Sequence, residues 1–144
     1  MVDEPHDAPS ELARAFEELF GDHDRFDEVL AMVADDFVQQ DRRKLVGGPD
    51  LDKEGFRRAL MFFLRETSLD SRYVERLALR GDRLVLDRIT ERHRDGSVRE
   101  FFVIGDFGGA PVQLQRTVMF DTDDVGAAMA ELDRLQAEIE VDDS

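Results

Sequence analysis

The sequence predicts an α+β domain in which a curved antiparallel sheet wraps around N-terminal helices, with a last helix closing the chain. Three observations predict it. Apolar residues recur at helical spacing up to Leu64 and again from Val125 to Ile139, they alternate between Tyr73 and Asp121, and glycine-containing turns divide that alternating stretch into four strands. Consecutive hairpins make an antiparallel meander, and helices gathered on one face of such a sheet make an α+β domain rather than a doubly wound one. A sheet of this kind curls around an apolar cavity, the expected place for a site.

The elements follow in order. Residues 1–9 read as a disordered polar lead. Ser10 is a plausible N-cap for a helix carrying Leu12, Phe16, Leu19 and Phe20 on one face, with Gly21 ending it. A second helix from about Asp24 carries Phe26, Val29, Leu30 and Val33. The period then changes to two: Phe37, Gln39, Asp41, Arg43 and Leu45 share one face of a strand, with Val38, Gln40 and Arg42 on the other. Gly47-Gly48-Pro49 breaks it, and Asp50 or Asp52 caps a third helix with the stripe Phe56, Leu60, Phe63 and Leu64. The strands Tyr73–Arg80, Arg83–Arg92, Val98–Phe107 and Val112–Asp121 are separated by turns at Gly81, Asp95-Gly96 and Gly108-Gly109. Thr122 is expected to cap the last helix, with Asp123 and Asp124 in its first turn against the helix dipole. Its buried face reads Val125, Ala128, Met129, Leu132, Leu135 and Ile139, and residues 140–144 form an acidic tail. One domain thus spans 10–139, with no repeat or linker.

Bulk composition narrows the function. The chain has 144 residues, 42% hydrophobic and 37% charged, with 34 acidic against 19 basic residues and a net charge of −15. Such a charge argues against nonspecific nucleic-acid binding and against docking to an anionic membrane. The absence of cysteine excludes disulfides, zinc–thiolate sites, iron–sulfur clusters and thiol nucleophiles. No basic start followed by an apolar run marks a secretory signal, and no apolar span approaches the roughly 20 residues of a bilayer crossing, so the expected location is cytoplasmic.

Residues 34–41, Ala34-Asp35-Asp36-Phe37-Val38-Gln39-Gln40-Asp41, followed by Arg42-Arg43, resemble the nuclear transport factor 2-like superfamily and within it a SnoaL-like protein. Phe120-Asp121-Thr122-Asp123-Asp124-Val125, leading into Ala127–Asp133, is similar to a C-terminal pattern of actinobacterial members. The resemblance in element order covers about residues 10–138. It implies a cone-shaped roll that includes isomerases, cyclases, dehydratases, small-molecule binders and silent dimerisation modules. It also implies a homodimer. Asp41 matches the position of a carboxylate general base in ketosteroid isomerase-like members. The hydrogen-bond donors of those enzymes have no counterpart: the first helix offers Arg14, Phe16, Glu17 and Phe20 without a tyrosine, and Phe101-Phe102-Val103-Ile104 holds no acid.

Beside that resemblance, the residues nominate their own site. Asp41 shares a face with Phe37, Gln39 and Arg43, so an inward Phe37 brings the polar three with it. They form either a carboxylate–guanidinium pair that binds or polarises a ligand, or an ion pair at a cone mouth or dimer edge. Arg43 lowers the Asp41 pKa and weakens it as a base. Arg88, Glu100 and Arg116 interrupt apolar faces of the late strands, either as a buried network setting pocket polarity or on a solvated or dimer-facing side. Tyr73, the only tyrosine, and His93, the only histidine within the sheet, are candidate proton donors. Metal ligation is not expected. Asp50-x-Asp52-x-Glu54-Gly55 and Asp121-x-Asp123-x-x-Gly126 imitate the start of a calcium loop, but Met61 and Leu132 stand where the bidentate glutamate belongs, and helix capping explains both clusters and Asp22-His23-Asp24. No cofactor motif is present. The expected partner is a small apolar or amphipathic molecule in the cone pocket, with Asp41 as the catalytic option. The alternative is a non-catalytic dimerisation or sensory module that uses the open sheet face.

Overall fold

Helix α1 (Ala8–Leu19) turns Ala13 and Phe16 into the core in the computed structural model, which describes residues 8–19, 23–45, 47–66 and 69–142. Ser10 lies inside this helix rather than at its cap, and Gly21 falls outside the described residues. A 3-10 turn (His23–Arg25) leads into the short α2 (Phe26–Ala31), which buries Val29. Val33 does not continue that helix but opens strand β1 (Val33–Asp41), four residues ahead of the expected start. The cause is tertiary: the Leu114 N–H donates to the Met32 carbonyl at 2.7 Å, which draws the chain into a strand where Val33 and Ala34 are buried. Helix α3 (Lys53–Glu66) is capped by Asp52, whose Oδ1 accepts the Gly55 N–H at 2.7 Å, and buries Phe56 and Leu60.

The four late strands form as expected: β2 (Leu69–Arg80), β3 (Leu84–His93), β4 (Val98–Gly108) and β5 (Gln113–Phe120). Strand β2 begins four residues before Tyr73. Gly81 and Gly96 adopt positive φ (59° and 90°) in the first two turns, a conformation that glycine enters without steric cost. Helix α4 (Val125–Asp142) starts later than Thr122. The Ala128 N–H donates to the Asp124 carbonyl at 3.0 Å, so Asp123 and Asp124 precede the first turn instead of filling it. The helix continues through residues 140–142, which are therefore not a tail, and Val125 is exposed rather than part of its buried face.

The sheet order is β1-β5-β4-β3-β2. Strands β2 to β5 form the antiparallel meander, but β1 pairs with β5 in parallel, so the sheet is mixed. With β1 on one edge and β2 on the other, the segment carrying α3 must cross from edge to edge. The helices also divide between faces. On the inner face, α1, α2 and α3 enclose a core of Phe16, Val29, Val33, Phe37, Phe56 and Leu60 with Val85, Phe107 and Leu114. On the outer face, Ala128, Leu132 and Leu135 of α4 cover Leu84, Leu86, Phe102, Ile104, Val118 and Phe120. This corrects the expectation of helices on one face, and β3 shows why: Val85 and Ile89 are buried inward while Leu84 and Leu86 are buried outward, so both faces need a cover.

Candidate functional site

Between the inner face of the sheet and helices α1 and α3 lies a cavity of about 570 Å³. Strand alternation builds its floor from Phe101, Val103, Gly105 and Phe107 on β4 with Thr117 and Met119 on β5, and Phe16 and Phe63 wall it from the helices. Gly105 keeps the floor open, because a Cβ there would stand 2.8 Å from the Phe107 ring.

Charged side chains also reach this inner face, and nearly all of them are paired. In the β2–β3 ladder Arg72 faces Glu91 and Arg76 faces Asp87. Arg76 Nε donates to Asp87 Oδ1 at 3.0 Å, and Arg72 donates both to Glu91 and, at 3.0 Å, to Glu17 Oε2 of α1. Asp87 and Glu91 are 4% and 3% exposed, and burial of ionised carboxylates requires such partners. At the opposite edge the Thr117 hydroxyl donates to Gln39 Oε1 at 3.1 Å, across the parallel β1–β5 register.

Asp41 and Arg43 form a closed pair. Arg43 donates from Nε to Oδ1 at 2.9 Å, from Nη2 to Oδ2 at 2.7 Å and from its backbone N–H to Oδ1 at 3.1 Å. The guanidinium lies over the Phe101 ring, 5.1 Å from its centroid. A short turn holds it there: the Gly47 N–H donates to the Arg43 carbonyl, and a Cβ on Gly47 would come 2.3 Å from that same oxygen. Burial pushes the Asp41 pKa up, but the hydrogen bonds and charge of Arg43 outweigh it and leave the carboxyl below its ordinary value. Gln39 and Arg43 line the cavity; Asp41 does not. An ionised carboxylate already accepting three hydrogen bonds is a poor proton acceptor.

The structure does not bring the other nominated residues to the cavity. Tyr73 is 66% exposed on the outer face, alternating with the inward Arg72. Arg88 and Glu100 pair with each other at 2.8 Å on that same outer face, exposed to solvent. Arg116 alternates with the inward Thr117 and lies on the α4 side. His93 is buried at the end of β3 without a partner for Nε2, and it does not line the cavity. Asp87, Glu91, Arg72, Arg76, Glu17 and Arg99 are inner-face charges that the sequence analysis does not nominate. A signal was present: Arg72 and Arg76 on one side of the Gly81 turn, and Asp87 and Glu91 on the other, have the same spacing and oppose one another in a hairpin. Among the described residues, Asp121, Asp123 and Asp124 bring their carboxylates within 4.8 Å, but Lys44 already serves that group, its N–H donating to Asp121 at 2.8 Å and its Nζ lying 3.5 Å from Asp123.

No family model and no curated protein matches the sequence. Solved structures do match the fold. An NTF2-like protein of unknown function from Mesorhizobium loti superposes with a TM-score of 0.64 at 14% identity, covering 83% of this chain and 95% of that one. A Mycobacterium tuberculosis protein in complex with estradiol-17beta-hemisuccinate gives 0.61 at 15% identity, covering 79% and 93%. A ketosteroid isomerase-like protein from Erwinia carotovora atroseptica gives 0.52 at 16% identity, covering 80% and 94%. The chain therefore has the nuclear transport factor 2-like cone fold. Helix α1 offers the cavity Phe16 and Glu17, and β4 offers it Arg99, Phe101, Val103 and Gly105.

Proposed function

We propose that this protein binds a small apolar or amphipathic molecule in the cavity between the sheet and helices α1 and α3, and that binding rather than acid–base chemistry at Asp41 is its activity. The observation that carries the reading is an aromatic-lined space of about 570 Å³ whose lining carboxylates, Glu17, Asp87 and Glu91, are each held by an arginine. The volume falls within the range of small-molecule pockets, and apolar walls with few polar groups are their usual lining. The steroid ester bound by the M. tuberculosis structure supports the same use of the fold. Helix α4 already covers the apolar part of the outer face, which favours the cavity over an interaction module built on an open sheet.

The test is a fluorescence titration with N-phenyl-1-naphthylamine, a neutral probe that brightens in apolar surroundings. Saturable binding that is lost in a folded Val103→Trp variant, which fills the floor, is the expected result. Absence of saturable binding, or binding unaffected by Val103→Trp, would refute the proposal.

A further inference from the structure

We infer that the cavity selects a ligand with an anionic head group, received by Arg99 at one end of the floor while the apolar body lies against Phe101 and Phe107. This rests on the binding role proposed for the same cavity and adds the chemical class of its ligand. Six charged side chains line the cavity: Glu17, Arg43, Arg72, Asp87, Glu91 and Arg99. Five are committed to one another or to immediate neighbours: Arg43 to Asp41, Arg72 to Glu17 and Glu91, and Asp87 to Arg76. Of the three arginines that line the cavity, Arg99 alone has no carboxylate partner among the described residues.

The register explains why. Arg99 opposes Glu91 across the β3–β4 ladder, yet the Glu91 carboxylate is already taken from the other side by Arg72. Arg99 is therefore left exposed at the end of the inner face, two residues along β4 from Phe101, whose ring is covered on one side by the Arg43 guanidinium. Arg99 thus presents a guanidinium next to an aromatic floor, with no ion-pair partner among the described residues. A carboxylate or sulfonate on a flat apolar body fits that juxtaposition, since a guanidinium forms charge-assisted and often bidentate hydrogen bonds to planar anions. The net charge of −15 repels anions at long range, but at about 0.15 M salt that field is screened beyond roughly 8 Å, so the contact at Arg99 decides.

The experiment compares two probes that share one skeleton, N-phenyl-1-naphthylamine (neutral) and 8-anilino-1-naphthalenesulfonate (the same rings with a sulfonate), in about 0.15 M salt. Wild type, Arg99→Gln and Val103→Trp are titrated, with circular dichroism confirming the fold. The sulfonate is expected to bind more tightly than the neutral probe, and Arg99→Gln to weaken the sulfonate about three- to tenfold more than it weakens the neutral probe. If the neutral probe binds and Arg99→Gln weakens neither or both equally, the anion preference is overturned and the binding role stands. If sulfonate binding survives Val103→Trp, the anion is held on the surface, and the inference fails. If neither probe saturates, the binding role fails and the inference fails with it.

Discussion

Glu131 on α4 anchors the outer helix to the end of β1, and replacing it by glutamine isolates what that anchor contributes. Its carboxylate is almost buried and accepts hydrogen bonds from Arg134 Nε at 3.0 Å and Arg42 Nη2 at 3.2 Å, and the Arg42 guanidinium also lies over the Phe120 ring at 5.5 Å. The hydrogen bonds from Arg134 lower its pKa most, burial opposes them, and Arg42 adds to the lowering, bringing it from 4.5 to about 2. At about 1.4 kcal/mol per pH unit that difference sets a ceiling of about 3–4 kcal/mol. Because both arginines keep two-fifths to half of their side-chain surface in water, the expected net effect of Glu131→Gln at pH 7 is about 1–2 kcal/mol. The folded-state pKa lies below the unfolded one, so this contribution is fully present above pH 4.5 and is lost as pH falls toward 2. Urea unfolding of wild type and Glu131→Gln between pH 7 and pH 3 reads it directly. The gap between the two midpoints should be constant from pH 7 to about 5 and narrow below it. Equal stability at pH 7, or a gap that does not change down to pH 3, would show that the Glu131 carboxylate does not anchor α4.

Two further substitutions separate fold from function. Asp41→Asn removes the ion pair with Arg43 while keeping its shape, and is expected to cost about 1 kcal/mol in urea unfolding at pH 7, an effect that fades as pH falls below 4 because the Asp41 pKa is lowered in the folded state. Its affinity for N-phenyl-1-naphthylamine should stay within about twofold of wild type, whereas a loss of binding would return Asp41 to the centre of the site. Leu132→Ala empties a fully buried position between α4 and the sheet and is expected to destabilise the fold by about 2–5 kcal/mol with cavity binding retained at temperatures where the variant remains folded. A loss of binding by folded Leu132→Ala would show that the outer face communicates with the cavity.

The element order was legible because each helix or strand shows its period in a single stretch of residues. The inward phase of β1 was legible too, since one deeply apolar residue, Phe37, sets the side on which Gln39 and Arg43 follow. In β3 and β4 the same reasoning had no such marker. Leu84, Val85 and Leu86 are all buried, as are Phe101 and Phe102, so alternation alone does not say which of Asp87 and Arg88, or of Arg99 and Glu100, faces the cavity. Arg88, Glu100 and Arg116 take the outer of the two phases open to them. What settles the phase is the position of α4, and an amphipathic helix reports that it has a buried side without reporting which sheet face will take it. The parallel pairing of β1 with β5 was hidden for a similar reason: it joins segments about 80 residues apart, and no local spacing encodes it.

A ligand on the inner face of the sheet is visible to amide chemical-shift mapping of isotopically labelled protein titrated with N-phenyl-1-naphthylamine. Saturable shifts are expected at Phe101, Val103, Gly105 and Thr117 on the cavity floor, with Ala128, Leu132 and Leu135 of α4 unmoved. Shifts centred on α4 or on the exposed outer strand residues around Tyr73, with the floor silent, would contradict a ligand site on the inner face.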